Sequence, residues 1–240
     1  MDLTATVFYI VLPVLTALTV PARKLDIPGA LLAALLAALI YEGSGITGIL
    51  LLGMFFFLAV SATSWKTSAK QASGFAEANK GRRNAAQVFA NGGLAALLAL
   101  FGIISESHQA IILVMIAGAF SSATADTVSA ELGMIYGRRC YNITTLKPDV
   151  RGENGVISLE GTLFGVAGSL AIALVYVLSS GWHGAAFLAI LVAGTVGNLA
   201  DSFLGAVLER KHVIGNNAVN FLNTLVGAAV AGAMVLLLPR

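Results

Sequence analysis

Residues 28–64, PGALLAALLAALIYEGSGITGILLLGMFFFLAVSATS, decide the fold. Two apolar runs, 28–45 and 46–64, meet at the short polar stretch Tyr41-Glu42-Gly43-Ser44-Gly45, and Glu42 is their only charge. Each run has about the 20 residues that a helix needs to cross hydrocarbon. A tight turn between two such runs predicts a helical hairpin in a membrane, where only helices or closed barrels satisfy every backbone polar group.

The same pattern extends in both directions. Further spans are expected over 4–22, 84–104, 108–128, 160–180, 184–207 and 218–238, eight in all. The first is read as a retained helix and not a signal peptide, because Arg23-Lys24 follow it without a small-residue cleavage site. The 240 residues are 58% hydrophobic and 11% charged, with a mean hydropathy of +0.87. A soluble domain carries about 25% charge, so an ordinary soluble enzyme, a disordered chain and a disulfide scaffold are excluded. The single cysteine, Cys140, excludes an internal disulfide and a cysteine metal cluster. The expected fold class is all-α, a polytopic helix bundle forming one domain over 1–240.

The cations set the sidedness. Arg23, Lys24, Lys66, Lys70, Lys80, Arg82, Arg83, Arg138, Arg139, Lys147, Arg151, Arg210 and Lys211 fall in alternate connections, and of the 14 basic residues only Arg240 falls at the other end. The intervening connections hold Glu42, Glu106, His108 and His183 and no Lys or Arg. The positive-inside rule makes the basic face cytoplasmic and both termini external; the expected location is a bacterial inner membrane.

A charge within a membrane costs roughly 2.5–3.5 kcal/mol, so each one asks for a reason. Asp126 and Glu131 sit where the fifth span nears the basic side, and Asp201 and Glu209 do the same on the seventh. Asn84, Gln87 and Asn91 open the fourth span, and Asn217, Asn220 and Thr224 open the eighth, both at the spacing i, i+3, i+7 that shares one helical face. Four helix ends thus bring carboxylates and amides to one depth beneath basic loops. A nucleotide suits the loops. Mg²⁺, which takes one or two carboxylates plus water and phosphate oxygens, suits Asp126 and Asp201. The 138–162 loop adds Lys147, Gly155, Ser158 and Thr162, where glycines let backbone approach phosphate and hydroxyls lie at a helix start. No Walker P-loop, H-E-x-x-H or G-x-S-x-G motif is present.

RRNAAQVFANGG (82–93), SSATADTVSAELG (121–133), GENGVISLEGT (152–162), ADSFLGAVLER (200–210) and NNAVNFLNT (216–224) occur in this order. From about residue 25 onward the chain resembles the integral-membrane family that includes the plant phytyl-phosphate kinase of tocopherol synthesis. It is more distantly similar to CTP-using polyprenol kinases and phosphatidate cytidylyltransferases. The resemblance implies phosphoryl transfer from CTP or another nucleoside triphosphate to a prenyl monophosphate, with no nucleic-acid partner. It implies functional roles for Arg83, Asn84, Asn91, Asp126, Glu131, Asp201 and Asn220. The expected site has Asp126, Arg83 and Glu131 as catalytic residues. Arg82, Asn84, Lys147, Gly155, Ser158 and Thr162 would hold the nucleotide phosphates, and Asn217 and Asn220 the acceptor phosphate. Asp126, Asp201 and Asn91 would hold Mg²⁺. One departure from the family pattern is Gly155-Val156 where a Gly-Gly pair is expected. A secondary transporter and a lipid cytidylyltransferase are the alternative readings.

Overall fold

The computed structural model describes residues 3–72 and 81–238. Lys80 and Arg240, which entered the charge pattern, lie outside them. The helices are α1 (Leu3–Thr19), α2 (Ile27–Ser64), α3 (Thr67–Ala72), α4 (Ala85–Ile104), α5 (Gln109–Tyr136), α6 (Leu159–Ser180), α7 (Gly184–Leu204) and α8 (Asn216–Leu237). Six of them, α2 and α4 to α8, are long and apolar enough to cross a membrane. The expected first span, 4–22, is the shorter α1, with 17 residues, Pro13 inside it and no buried residue. Large apolar side chains point outward from the bundle, Leu178 and Leu237 each 83% exposed. This is the surface of a protein solvated by lipid.

The expected spans 28–45 and 46–64 are the two halves of α2, which breaks at one residue, Gly45 (φ 63°, ψ −156°). That conformation is open only to glycine. The turn is narrower than the sequence suggests, since Tyr41 to Ser44 remain helical. A straight helix of 38 residues would be about 57 Å long. Instead Lys24 Nζ, just before α2, donates to Ser64 Oγ at its far end over 2.8 Å. The two halves therefore fold back on one another, and both ends of α2 emerge at the basic end. There Leu25 bridges Arg83, and Asp26 N donates to the Arg83 carbonyl at 3.0 Å.

α5 is the hub, buried without a break from Ile116 to Ala125. Small residues let its neighbours approach backbone to backbone. A Cβ added at Gly118 would lie 2.6 Å from the Gly227 carbonyl oxygen of α8. One at Gly165 of α6 would lie 3.0 Å from the Ala125 carbonyl oxygen. This is how helices associate where lipid removes the hydrophobic drive between them.

Two elements were not foreseen. Part of the 138–162 loop folds as an antiparallel ribbon, β1 (Cys140–Asn142) against β2 (Val156–Ser158), with Cys140 opposite Ser158. The end of α7 widens into a π turn, Gly205–Glu209, a form that clusters at functional sites.

Candidate active site at the basic end of the bundle

A cavity of about 240 Å³ lies between the basic ends of α4, α5, α6, α7 and α8, with the ribbon along one wall. α4 starts there because Asn84 caps it. The Asn84 side chain accepts from Gln87 N at 3.0 Å, and the Gln87 side chain accepts from Asn84 N at 3.0 Å. This reciprocal box fixes the first turn and sends Gln87 and Asn91 one turn apart into the cavity. Asp126 comes from α5, Asn198 and Asp201 from α7, Glu209 from the π turn, and Asn216 and Asn220 from α8.

Asp126 and Asp201 lie within hydrogen-bonding reach of one another, with Glu209 and Arg83 close enough to act on the Asp126 charge. Asp201 is held by Asn223, whose Nδ2 donates to Oδ1 at 2.9 Å. Asn223 is fully buried, and Ser122 Oγ donates to its Oδ1 at 2.8 Å. A three-residue relay thus orients one carboxyl of the pair. Two carboxylates at this separation repel unless a proton or a cation is shared between them.

Asn91 is 7% exposed. Its Nδ2 donates to the Gln87 carbonyl at 3.0 Å, which fixes the amide orientation. Its Oδ1 is buried and has no hydrogen-bond partner among the described residues. An orphaned acceptor of this kind costs about 1–3 kcal/mol, and it lines the same cavity as the two aspartates. Among the described residues, no three His, Cys, Asp or Glu side chains form a metal-holding group. The donor set is therefore two carboxylates and an amide oxygen. It fits Mg²⁺, which takes few protein ligands and completes its shell with water and phosphate oxygens.

Arg83, Asn91, Asp126, Glu131, Gly155, Ser158, Asp201 and Asn220 all line the cavity. Glu131 and Ser158 are committed to structural bonds. Glu131 receives a hydrogen bond from Lys70 of α3 in a buried ion pair. Ser158 Oγ caps α6 by accepting from Gly161 N at 3.1 Å. Five expected site residues are not in the lining. Arg82 Nε donates to the Leu25 carbonyl at 3.1 Å, Asn84 is the α4 cap, and Thr162 Oγ1 donates to the Ser158 carbonyl at 3.0 Å. Lys147 is exposed in the loop joining the two strands and Asn217 is exposed on α8.

Several lining residues escaped the sequence reading. Asn198 sits three positions before Asp201, on its face. Asn154 comes from the loop between the two strands, together with Arg151, which the sequence reading had counted among the cations of the basic face. Arg151 caps the end of α5, its Nη1 donating to the Met134 carbonyl at 3.3 Å and its Nη2 to the Gly137 carbonyl. The ribbon is tied to the α7–α8 connection by Asp149 and Arg210, paired through both oxygens. The Arg210 guanidinium, then the Val150 N–H and the Asn142 amide, hold the Asp149 carboxyl well below the usual carboxylate range.

The family model described as "Integral membrane protein DUF92" matches residues 10–228. An uncharacterized membrane protein of Synechocystis sp. is 35% identical over 201 residues, covering 82% of this chain and 77% of that protein. Protein VTE6, chloroplastic, of Arabidopsis thaliana is 32% identical over 213 residues, covering 86% of this chain and 64% of VTE6. An uncharacterized membrane protein of Methanocaldococcus jannaschii is 31% identical over 225 residues, covering 92% of this chain and 90% of that protein. No solved structure matches the chain.

Proposed function

This chain belongs to the DUF92 integral membrane family, and on that footing we propose that it is a membrane prenyl-phosphate kinase. It transfers a phosphoryl group from a nucleoside triphosphate, CTP by preference, to phytyl phosphate or a related isoprenoid monophosphate. The observation that carries the reading is one cavity at the end of a lipid-solvated bundle. It pools the Asp126–Asp201 pair, Arg83 and the orphaned Asn91 oxygen. The likeness to VTE6 and the resemblance of the helix-end blocks to the phytyl-phosphate kinase family support it. The basic end faces the cytoplasm, where nucleotide is supplied.

Phosphoryl transfer asks a protein mainly for position and charge neutralisation. An oxygen of the acceptor phosphate attacks the γ-phosphorus in line, the bond to the β–γ bridging oxygen breaks, and the nucleoside diphosphate leaves. A phosphate monoester is already an anionic nucleophile, so no side chain need remove a proton. Arg83 neutralises phosphate oxygens on the cavity wall, with the two-pronged donor geometry of a guanidinium. Gly152 and Gly155 expose bare backbone on the ribbon wall, beside the Arg151 and Asn154 side chains. Asn220 offers an amide to the acceptor phosphate. Mg²⁺, when bound with the nucleotide, would be held by Asp126, Asp201 and Asn91 and would offset donor-phosphate charge.

The test is purified protein in detergent with Mg²⁺, phytyl or geranylgeranyl monophosphate and labelled CTP. Prenyl diphosphate and CDP are expected. Release of pyrophosphate instead would move the attack to the α-phosphate and make the protein a cytidylyltransferase. No transfer with several prenyl monophosphates and all four common nucleotides would reject the reading. Asp126→Asn and Asp201→Asn should each lower turnover by at least about a hundredfold, with the elution profile of the folded protein retained.

A further inference from the structure

The cavity holds a phosphate-sized space, yet an isoprenoid acceptor carries a long apolar tail that has to leave it. Most helix seams around the cavity are shut by close backbone approach. A Cβ added at Gly29 of α2 would lie 3.1 Å from the Arg83 carbonyl oxygen, at the start of α4. One at Gly197 of α7 would lie 3.2 Å from the Asn223 carbonyl oxygen of α8. Gly133 of α5 and Gly161 of α6 meet in the same way, at 3.2 Å from added Cβ to Cα. Such seams cannot part without moving whole helices.

The seam between α4 and α8 is different. Gly92 and Gly102 of α4 face α2, and Gly227 and Gly232 of α8 face α5. Where α4 and α8 meet, Phe89 stacks on Phe221, with ring centroids 5.8 Å apart and planes 2° from parallel. Phe89 lies two residues from both Gln87 and Asn91. It therefore shares their depth but faces about 200° away from them, and it is 44% exposed on the outer surface. Phe221 directly follows the cavity residue Asn220. Beyond the rings, Phe221 packs on an apolar cluster containing Leu94, Leu98 and Met115.

We infer that the α4–α8 seam is the lateral portal for the acceptor lipid: the phosphate sits in the cavity and the isoprenoid tail passes between Phe89 and Phe221 into the bilayer. At the depth of the cavity amides this seam is closed by the Phe89–Phe221 ring pair, so rotation of one ring opens it there without moving a helix. The cavity side offers cationic and amide groups and the outer side aromatic and aliphatic ones, which matches the two halves of one amphiphile. The inference rests on the phosphotransfer reading for the identity of its occupant, and the experiment separates the two.

The first measurement uses phytyl monophosphate bearing a diazirine in its tail, photolysed with the detergent-solubilised protein and mapped by mass spectrometry. Adducts are expected on Phe89, Phe221, Leu94 or Leu98, in excess over those from the uncharged diazirine alcohol. Adducts confined to the outer faces of α6 and α7, or distributed as with the alcohol, overturn the portal. In the second, Phe221→Trp and Phe89→Trp crowd the seam. Each should raise KM for phytyl monophosphate at least about tenfold relative to KM for dimethylallyl monophosphate, whose tail is too short to reach the rings. An unchanged ratio in both variants overturns the portal. A wild type that transfers no phosphoryl group but is labelled at the seam would refute the kinase and leave the portal standing.

Discussion

Replacing Lys70 by methionine should destabilise the protein by about 4 kcal/mol, far more than a loop lysine normally would. Lys70 belongs to a six-residue helix and turns inward from it. Its ammonium donates to the Ala62 carbonyl at 2.9 Å, to the Thr63 carbonyl at 3.1 Å, and to the Glu131 carboxylate. All three of its donors are used. Both side chains of the ion pair are 5% exposed. Removing one partner of a buried pair costs about 3–5 kcal/mol because the other charge is left uncompensated, whereas replacing both with apolar groups of similar volume is often neutral. The Ala62 carbonyl keeps the Trp65 N–H at 3.2 Å and the Thr63 carbonyl the Thr67 hydroxyl at 3.5 Å, so they add little. Unfolding of the micellar protein by titrated SDS, followed through Trp65 and Trp182 fluorescence, measures the cycle. Lys70→Met should cost about 4 kcal/mol and Glu131→Met about 3, while the double variant should cost about 1 or less. A Lys70→Met protein within about 0.5 kcal/mol of wild type, or a double variant as costly as the sum of its parts, would refute the reasoning.

Asn91→Leu should leave the ligand-free protein within about 1 kcal/mol of wild type, because Oδ1 has no partner among the described residues and the one bond lost is the local Nδ2 contact to the Gln87 carbonyl. It should abolish the thermal stabilisation by Mg²⁺ and nucleotide that is expected of the wild type in a melting assay. Gly155→Ala should release the ribbon from the π turn. The residue has φ +79°, and its Cβ would fall 2.6 Å from the Ala206 nitrogen, so faster proteolysis within 140–158 is the expected readout. The Asp149–Arg210 tie carries a pH signature. A carboxyl whose folded pKa is depressed contributes stability above its unfolded value, about 3.9, and loses it as pH falls through the folded one. Hydrogen exchange of the ribbon amides should therefore be faster in Asp149→Asn than in wild type at neutral pH. That difference should persist to about pH 5 and vanish only in stronger acid.

The hairpin was legible because glycine and polar residues interrupt an otherwise unbroken apolar run, a pattern with few structural solutions in lipid. The depth shared by Asp126, Asp201, Asn91 and Asn220 was legible for a similar reason, since burying polar groups at one level demands a common purpose. Individual roles were harder to read. Asn84 and Asn91 share a helical face, yet one caps the helix and the other enters the cavity. The Asn84-x-x-Gln87 spacing of a capping box was the available signal. Ser158 stood at a helix start, where a hydroxyl serves the helix's own amides as readily as an anion. Lys70 looked like one of many cations that set topology, and nothing local to it announces a partner 61 residues away. The three-residue strands of the ribbon are too short for alternation to register.

The π turn at Gly205–Glu209 reconciles two demands on one helix. Upstream, the rotational setting of α7 is dictated by Gly194 and Gly197, which fit against Ser121 and Ser122 with no room for a side chain. Downstream, Glu209 has to point inward at the cavity. In a regular helix eight residues leave Glu209 about 80° from Asp201; one additional residue in a wide turn winds it back to about 20°. The bulge is a phase corrector, letting packing choose the azimuth of one half of the helix and chemistry that of the other.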